Sequence, residues 1–295
     1  MLTKETYNTS SFSIALKIRE YIAFTKFRLS FLVNLSAVSG FLFAGFTTYR
    51  DLFLLCIGGF LVTAGSNGFN QVIERNLDRL MRRTENRPMP QGNISKWEGI
   101  ILSAIIGVVG LVMLYQINFK AALLGFFALF LYVAIYTPMK RISPWAVFVG
   151  AFPGALPPMI GVVAATNAYS LEAGILFLVQ FVWQFPHFWA IAWIMHDDYA
   201  KAGFSLLPSR GGKNKASALQ IMIYTLILVP VSLLPWALDW TRNWKLLVGT
   251  ALGMFFFNYA YRLFFDLSDK TAKKLMFASF AYLPLIQFLY VFDKI

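Results

Sequence analysis

The chain holds one cysteine, two histidines and 14 acidic residues in a length of 295. The lone Cys56 excludes an internal disulfide framework and reads as a small buried hydrophobe in an apolar stretch. Charged residues reach only 14%, against a usual ~25%. Hydrophobic residues reach 58%, too many for a water-soluble globule to cover with polar surface. That excludes a soluble Rossmann or barrel enzyme, and it excludes a disordered chain as well. The period-two alternation of a membrane β-barrel is missing. So is the short apolar core with a small-residue cleavage site that marks a secretory signal peptide.

What is present is a series of apolar runs. A bilayer core of ~30 Å takes ~20 helical residues. Nine segments suggest themselves: 29–46, 52–73, 99–116, 121–137, 145–165, 171–195, 216–238, 246–265 and 275–292. Backbone polar groups must be satisfied within lipid, so these runs are helices. The expected fold is an all-α polytopic membrane protein, a nine-helix bundle around a central cavity. Residues 1–28 form an N-terminal segment, with an amphipathic surface helix expected over 14–27, and residues 29–295 form the membrane domain.

The 26 Lys and Arg explain the net charge of +12 without nucleic acid. Nine spans leave Arg50, Lys120, Arg242, Lys245 and Lys294 on one side and the other 21 basic residues on the opposite side. By the positive-inside rule the N-terminus faces the cytoplasm.

Acidic residues gather twice at that cytoplasmic face. Asn70, Glu74 and Asp78 are spaced by four, which aligns them on one helix face about 6 Å apart. Stacked carboxylates call for a cation between them, and Mg²⁺ takes oxygen ligands together with substrate phosphates. Arg75, Arg79, Arg82, Arg83 and Arg87 surround them and suit phosphate oxygens. The competing account is a solvated helix end held by ion pairs such as Asp78 with Arg82.

The second cluster is His196-Asp197-Asp198-Tyr199 with Lys201 and, further on, Pro208. Asp78 and Asp198 lie 120 residues apart, as do Pro88 and Pro208, which hints at a parallel internal repeat with two acidic ends across one cavity. Tyr136, Lys140 and Arg141 end the fourth span, either as diphosphate clamps or as membrane anchors. His187 lies within the sixth span beside Pro186. Eleven residues of unbroken helix would put it on the Asp198 face, about 16 Å deeper. It is a ligand candidate or a packing residue of the kink.

The run Asn70-x-x-x-Glu74-x-x-x-Asp78-x-x-Met81-x-Arg83-Thr84-x-x-Arg87-Pro88 resembles the first acidic motif of the UbiA superfamily of intramembrane prenyltransferases. Within it, Pro186-His187-Phe188-Trp189, Asp197-Asp198-Tyr199 and Tyr136-Thr137-x-x-Lys140-Arg141 resemble the heme-farnesylating branch. Glu74 stands where the family often has Asp, and the adjacent Asp197 and Asp198 replace a pair spaced by four.

The resemblance implies a helical bundle capped on the cytoplasmic side of a bacterial cytoplasmic membrane. It implies transfer of farnesyl from farnesyl diphosphate to the 2-vinyl group of heme b, with water addition, giving heme O and diphosphate. Mg²⁺ is the implied cofactor, held by Glu74, Asp78 and Asp198, with Asn70 and Asp197 completing the acidic motifs. Arg75, Arg82, Arg83, Arg87, Lys140, Arg141 and Lys201 become diphosphate ligands, and His187 and Tyr136 meet heme. The lipid bilayer is the setting, and heme A synthase or terminal-oxidase assembly factors are the implied protein partners. A sister enzyme acting on a quinone precursor or chlorophyllide, and a transporter using the acids as ion sites, are the alternatives; helix-end acids speak against the transporter.

Overall fold

The computed structural model describes residues 9–294. Lys4, one of the basic residues counted above, lies outside them. The described residues form helices joined by turns and short loops, with one isolated bridge between Thr241 and Lys294.

Ten principal helices follow one another: α1 (Thr9–Phe24), α2 (Phe27–Phe43), α3 (Tyr49–Asp78), α4 (Lys96–Ile117), α5 (Phe119–Met139), α6 (Ala146–Thr166), α7 (Leu171–Ile194), α8 (Lys215–Ala237), α9 (Trp244–Asp266) and α10 (Asp269–Phe292). Caps set several starts. Thr48 Oγ1 accepts from the Asp51 amide at 3.0 Å ahead of α3, and Ser95 and Glu98 form a capping box on α4. All nine apolar runs are helical. By length and composition, however, seven described helices can cross a membrane, or eight when 14–24 and α2, bent by 48°, count as one span. The expected count of nine is therefore not confirmed. α2 has 17 residues, and the 23-residue α9 is not among the seven.

Each helix from α2 packs on its successor, and α10 returns to α2, closing a ring; α2 against α6 and α7 against α10 cross its middle. The crossings rest on small residues and satisfied carbonyls. A Cβ on Gly40 would strike the Pro158 carbonyl, and one on Gly161 the Ala37 carbonyl, so only glycine lets α2 and α6 approach. Pro158 has no N–H for the carbonyl of Gly154, and Gln180 Nε2 donates to it instead at 2.7 Å. Gln287 Nε2 donates to Gln180 Oε1 at 2.9 Å, and Ser36 Oγ donates to Gln287 Oε1 at 3.2 Å. This polar string ties α2, α6, α7 and α10 inside the apolar body. The outer surface is the reverse of a soluble protein's, since Ile101, Val108, Phe255 and Phe288 are each more than half exposed. With the spans above, that makes the chain a polytopic membrane protein.

Candidate active site

α3 runs for 30 residues, longer than a bilayer core requires. Its last turns therefore extend beyond the apolar run and carry Asn70, Glu74 and Asp78. The spacing of four does align them, and all three are buried, with Asp78 fully so.

Each acid meets a base. Arg87 Nη1 donates to both oxygens of Asp78, at 3.0 and 2.8 Å. Arg87 comes from the loop ahead of the short helix Pro88–Gln91, and Thr84 Oγ1 ties that loop back by donating to the Asp78 carbonyl at 2.8 Å. Lys140 Nζ lies 2.6 Å from Glu74 Oε1. That contact falls outside hydrogen-bond alignment, so Glu74 Oε1 is a buried oxygen without a directional donor. The Lys140 ammonium also faces the rings of Tyr136 and Phe204, at 4.8 and 5.6 Å from their centroids.

A π-helical stretch, Leu131–Tyr136, widens α5 just before these residues. Thr137 Oγ1 donates to the Tyr132 carbonyl at 2.8 Å and accepts from Asn70 Nδ2 at 3.2 Å. Lys26 Nζ donates to Asn70 Oδ1 at 3.2 Å. Tyr132 donates to Asn67 Oδ1 at 3.4 Å. Lys26, Tyr132, Thr137 and Asn67 were not among the expected site residues. Lys26 read as one more basic residue before the first span, and only the fold brings α5 against Asn67 and Asn70.

The second cluster does reach the first. The Arg83 amide donates to Asp198 Oδ2 at 3.3 Å, and the Arg83 guanidinium donates to the Tyr199 hydroxyl at 3.3 Å. Lys201 Nζ donates to Asp198 Oδ1 at 3.2 Å. Burial pushes the Asp198 carboxyl up, but Lys201 and the backbone amides of Arg83 and Arg82 outweigh it and hold it below the usual range. The adjacent Asp197 is exposed, as are Arg82 and Arg141. Arg75 turns back on its own helix and donates to the Val72 carbonyl at 3.0 Å. Among the described residues no three carboxylate, His or Cys side chains stand close enough together to enclose a metal ion.

The unbroken helix expected between His187 and Asp198 is interrupted, because α7 ends at Ile194 and Met195 separates it from the short helix His196–Lys201. The partners of His187 are on α10. His187 Nδ1 lies 2.7 Å from Ser279 Oγ, and Ser279 Oγ donates to the Met276 carbonyl at 2.6 Å. With the only serine proton given to Met276, Nδ1–H is the donor and Nε2 keeps its lone pair. Trp183 stacks on the ring at 4.5 Å, and Phe280 meets it edge-on at 4.7 Å.

Residues 33–283 match the UbiA prenyltransferase family. The chain is 45% identical over 285 residues to the protoheme IX farnesyltransferase of Cytophaga hutchinsonii, covering 96% of this chain and 100% of that protein. It is 46% identical to the protein of the same name from Christiangramia forsetii, covering 94% of each. Among solved structures, a digeranylgeranylglyceryl phosphate synthase superposes with a TM-score of 0.78 at 20% identity, covering 94% of this chain and 98% of the other. A UbiA homologue from Archaeoglobus fulgidus bound to GPP and Mg²⁺ gives 0.71 at 16% identity, covering 92% and 99%. The paired acidic helix ends, the ring of membrane helices and these matches agree: the chain belongs to the UbiA prenyltransferase family, among its protoheme IX farnesyltransferases.

Proposed function

We propose that this chain transfers the farnesyl group of farnesyl diphosphate to the 2-vinyl group of heme b, with addition of water, yielding heme O and diphosphate. The observation that carries the reading is the ion-paired pocket at the end of α3. Glu74 and Asp78 are buried, and each is held by a base that serves equally well on a phosphate. A quinone-precursor or chlorophyllide substrate is not favoured, since full-length relatives at 45–46% identity are named for heme.

The residues fit Mg²⁺: oxygen donors only, two of them stacked on one face, and one oxygen of Glu74 lacking a directional donor. Glu74, Asp78 and Asp198 would hold it, with Asn70 and Asp197 at the margins of the two motifs. When bound, Mg²⁺ supplies positive charge to the leaving diphosphate. Lys140 and Arg87 then exchange a carboxylate partner for phosphate oxygens, and Arg83 and Lys201 close on the diphosphate from the facing loop. Arg82 and Arg141 stand exposed for the same anion, whereas Arg75 serves it only after turning away from Val72.

Breaking the allylic C–O bond leaves its electron pair on diphosphate and an allylic cation on the farnesyl chain. The vinyl carbon attacks that cation, forming the new C–C bond. Water captures the cation left beside the ring and loses a proton. Buried basic residues stabilise the leaving anion, and the surrounding apolar helices exclude water until the C–C bond has formed. Tyr136, packed against Gly150 beside Lys140, lines the acceptor side of this pocket. His187 offers its Nε2 lone pair to the heme iron, with Ser279 fixing the tautomer.

The N-terminus and both acidic loops face the cytoplasm of a bacterial inner membrane; heme A synthase or terminal-oxidase assembly factors would receive the product. The test is the mass and absorption spectrum of hemes extracted from cells with and without this chain. A farnesylhydroxyethyl heme appears only with it, and its absence from expressing cells refutes the proposal.

A further inference from the structure

We infer that Lys26 is a diphosphate-binding residue, delivered to the site by the break between α1 and α2; this rests on the prenyl-diphosphate reading above. The pocket holds two buried carboxylates and three basic side chains. Arg87 is paired with Asp78 and Lys140 with Glu74, while among the described residues Lys26 has no carboxylate in ion-pair contact. Among the described residues its Nζ has one hydrogen-bond partner, the amide oxygen of Asn70 at 3.2 Å, and Asn70 is itself 1% exposed. A lysine that merely anchors a helix end extends its charge outward to water. Lys26 turns the other way, toward the acids of α3.

The backbone is arranged for this. Lys26 sits at φ 49°, ψ 53°, the left-handed region that a lysine adopts only against steric resistance. The conformation turns the chain by 48° between residues 14–24 and α2. Both flanks are fixed. Phe24 is fully buried against Val72, Met89 and Ile94, Gln71 Nε2 donates to the Phe24 carbonyl, and Tyr21 donates to Glu98 at 2.7 Å. α1 is thereby docked onto the loop that also carries Arg87. A strained turn, firmly held, that aims a lysine amine without an ion-pair partner at a buried polar cluster is suited to an incoming anion. The leaving diphosphate is the anion this site generates.

The test uses the full chain in detergent with Mg²⁺ and inorganic pyrophosphate, read as the pyrophosphate-induced rise in thermal midpoint and the affinity it yields. In Lys26→Met the affinity should fall roughly ten- to hundred-fold, the effect of one charge-assisted hydrogen bond. Its midpoint without pyrophosphate should not fall below the parent's, whereas a merely structural lysine would lower it. Lys26→Arg should keep most of the affinity. Should Lys26→Met fail to fold, Lys26→Asn replaces it, because asparagine tolerates the left-handed backbone. Pyrophosphate affinity within twofold of the parent in the neutral variant, with Asp78→Asn impaired, overturns the role of Lys26 alone. No pyrophosphate binding by the parent overturns the diphosphate reading and this inference together.

Discussion

Lys140→Met should destabilise the protein far more than the loss of a surface lysine, and Glu74→Gln added to it should restore much of that loss. The Lys140 and Glu74 side chains are 10% and 5% exposed, with Nζ and Oε1 2.6 Å apart. At an effective dielectric of about 20, two unit charges at that distance attract by about 6 kcal/mol. Desolvation offsets most of this in the intact pair. Removing only the lysine leaves a buried carboxylate unpaired, which costs about 3–5 kcal/mol. At about 2 °C per kcal/mol for a chain of this size, the thermal midpoint in detergent should drop by about 6–10 °C. Neutralising Glu74 in the same chain removes the orphaned charge, so a double-mutant cycle should show a coupling of about 2–3 kcal/mol. The double variant should regain its fold without regaining turnover, because the proposed function needs Lys140 for the diphosphate and Glu74 for the metal. A Lys140→Met midpoint within 2 °C of the parent, or a double variant no more stable than Lys140→Met, would refute the account of this pocket.

Asp78→Asn and Asp198→Asn should each lose most heme O formation while remaining folded and inserted in the membrane; near-normal turnover of both in a metal-titrated assay contradicts shared metal binding. Single cysteines at Asn86, Arg210 and Asp239 in a Cys56→Ala background, all exposed positions, should react with an impermeant thiol reagent on intact cells at 239 alone; the opposite pattern reverses the topology. His187→Ala should weaken heme retention and shift the Soret band while pyrophosphate still binds, and Ser279→Ala should do the same to a lesser degree with recovery in Ser279→Thr; an unchanged heme spectrum in His187→Ala returns that residue to a packing role.

Much of the architecture was legible because lipid allows few solutions. Every apolar run proved helical, and the interval of four at 70, 74 and 78 did put three polar groups on one buried face. The span count was less secure, since α2 is short and bends into α1, and α9 carries polar residues through its length. The basic partners were the hardest to read. Arg75 and Arg87 look alike in the sequence, yet one bonds its own helix and the other grips Asp78, because only the loop after Asp78 folds back. Asp197 and Asp198 differ by one position, which decides exposure once Met195 ends α7. That same break removed the helical phase on which the alignment of His187 with Asp198 depended. The role of Lys26 is not legible in the sequence, because its contact with Asn70 spans 44 residues and requires a left-handed backbone that no lysine signals.

The closure of the helix ring through α10 bears on how the protein is made. Ser36 and Gln287 meet across 251 residues, and Ser279 holds His187 from the last helix. A nascent chain emerging from the ribosome therefore carries its acidic motifs into the membrane long before its final segment arrives. Until that segment inserts, the imidazole lacks its partner and the ring stays open along one seam. Premature termination anywhere ahead of Ser279 would leave a lipid-embedded fragment with its charged motifs intact, an open helix ring and an imidazole without its partner, so the interior is completed only when synthesis ends.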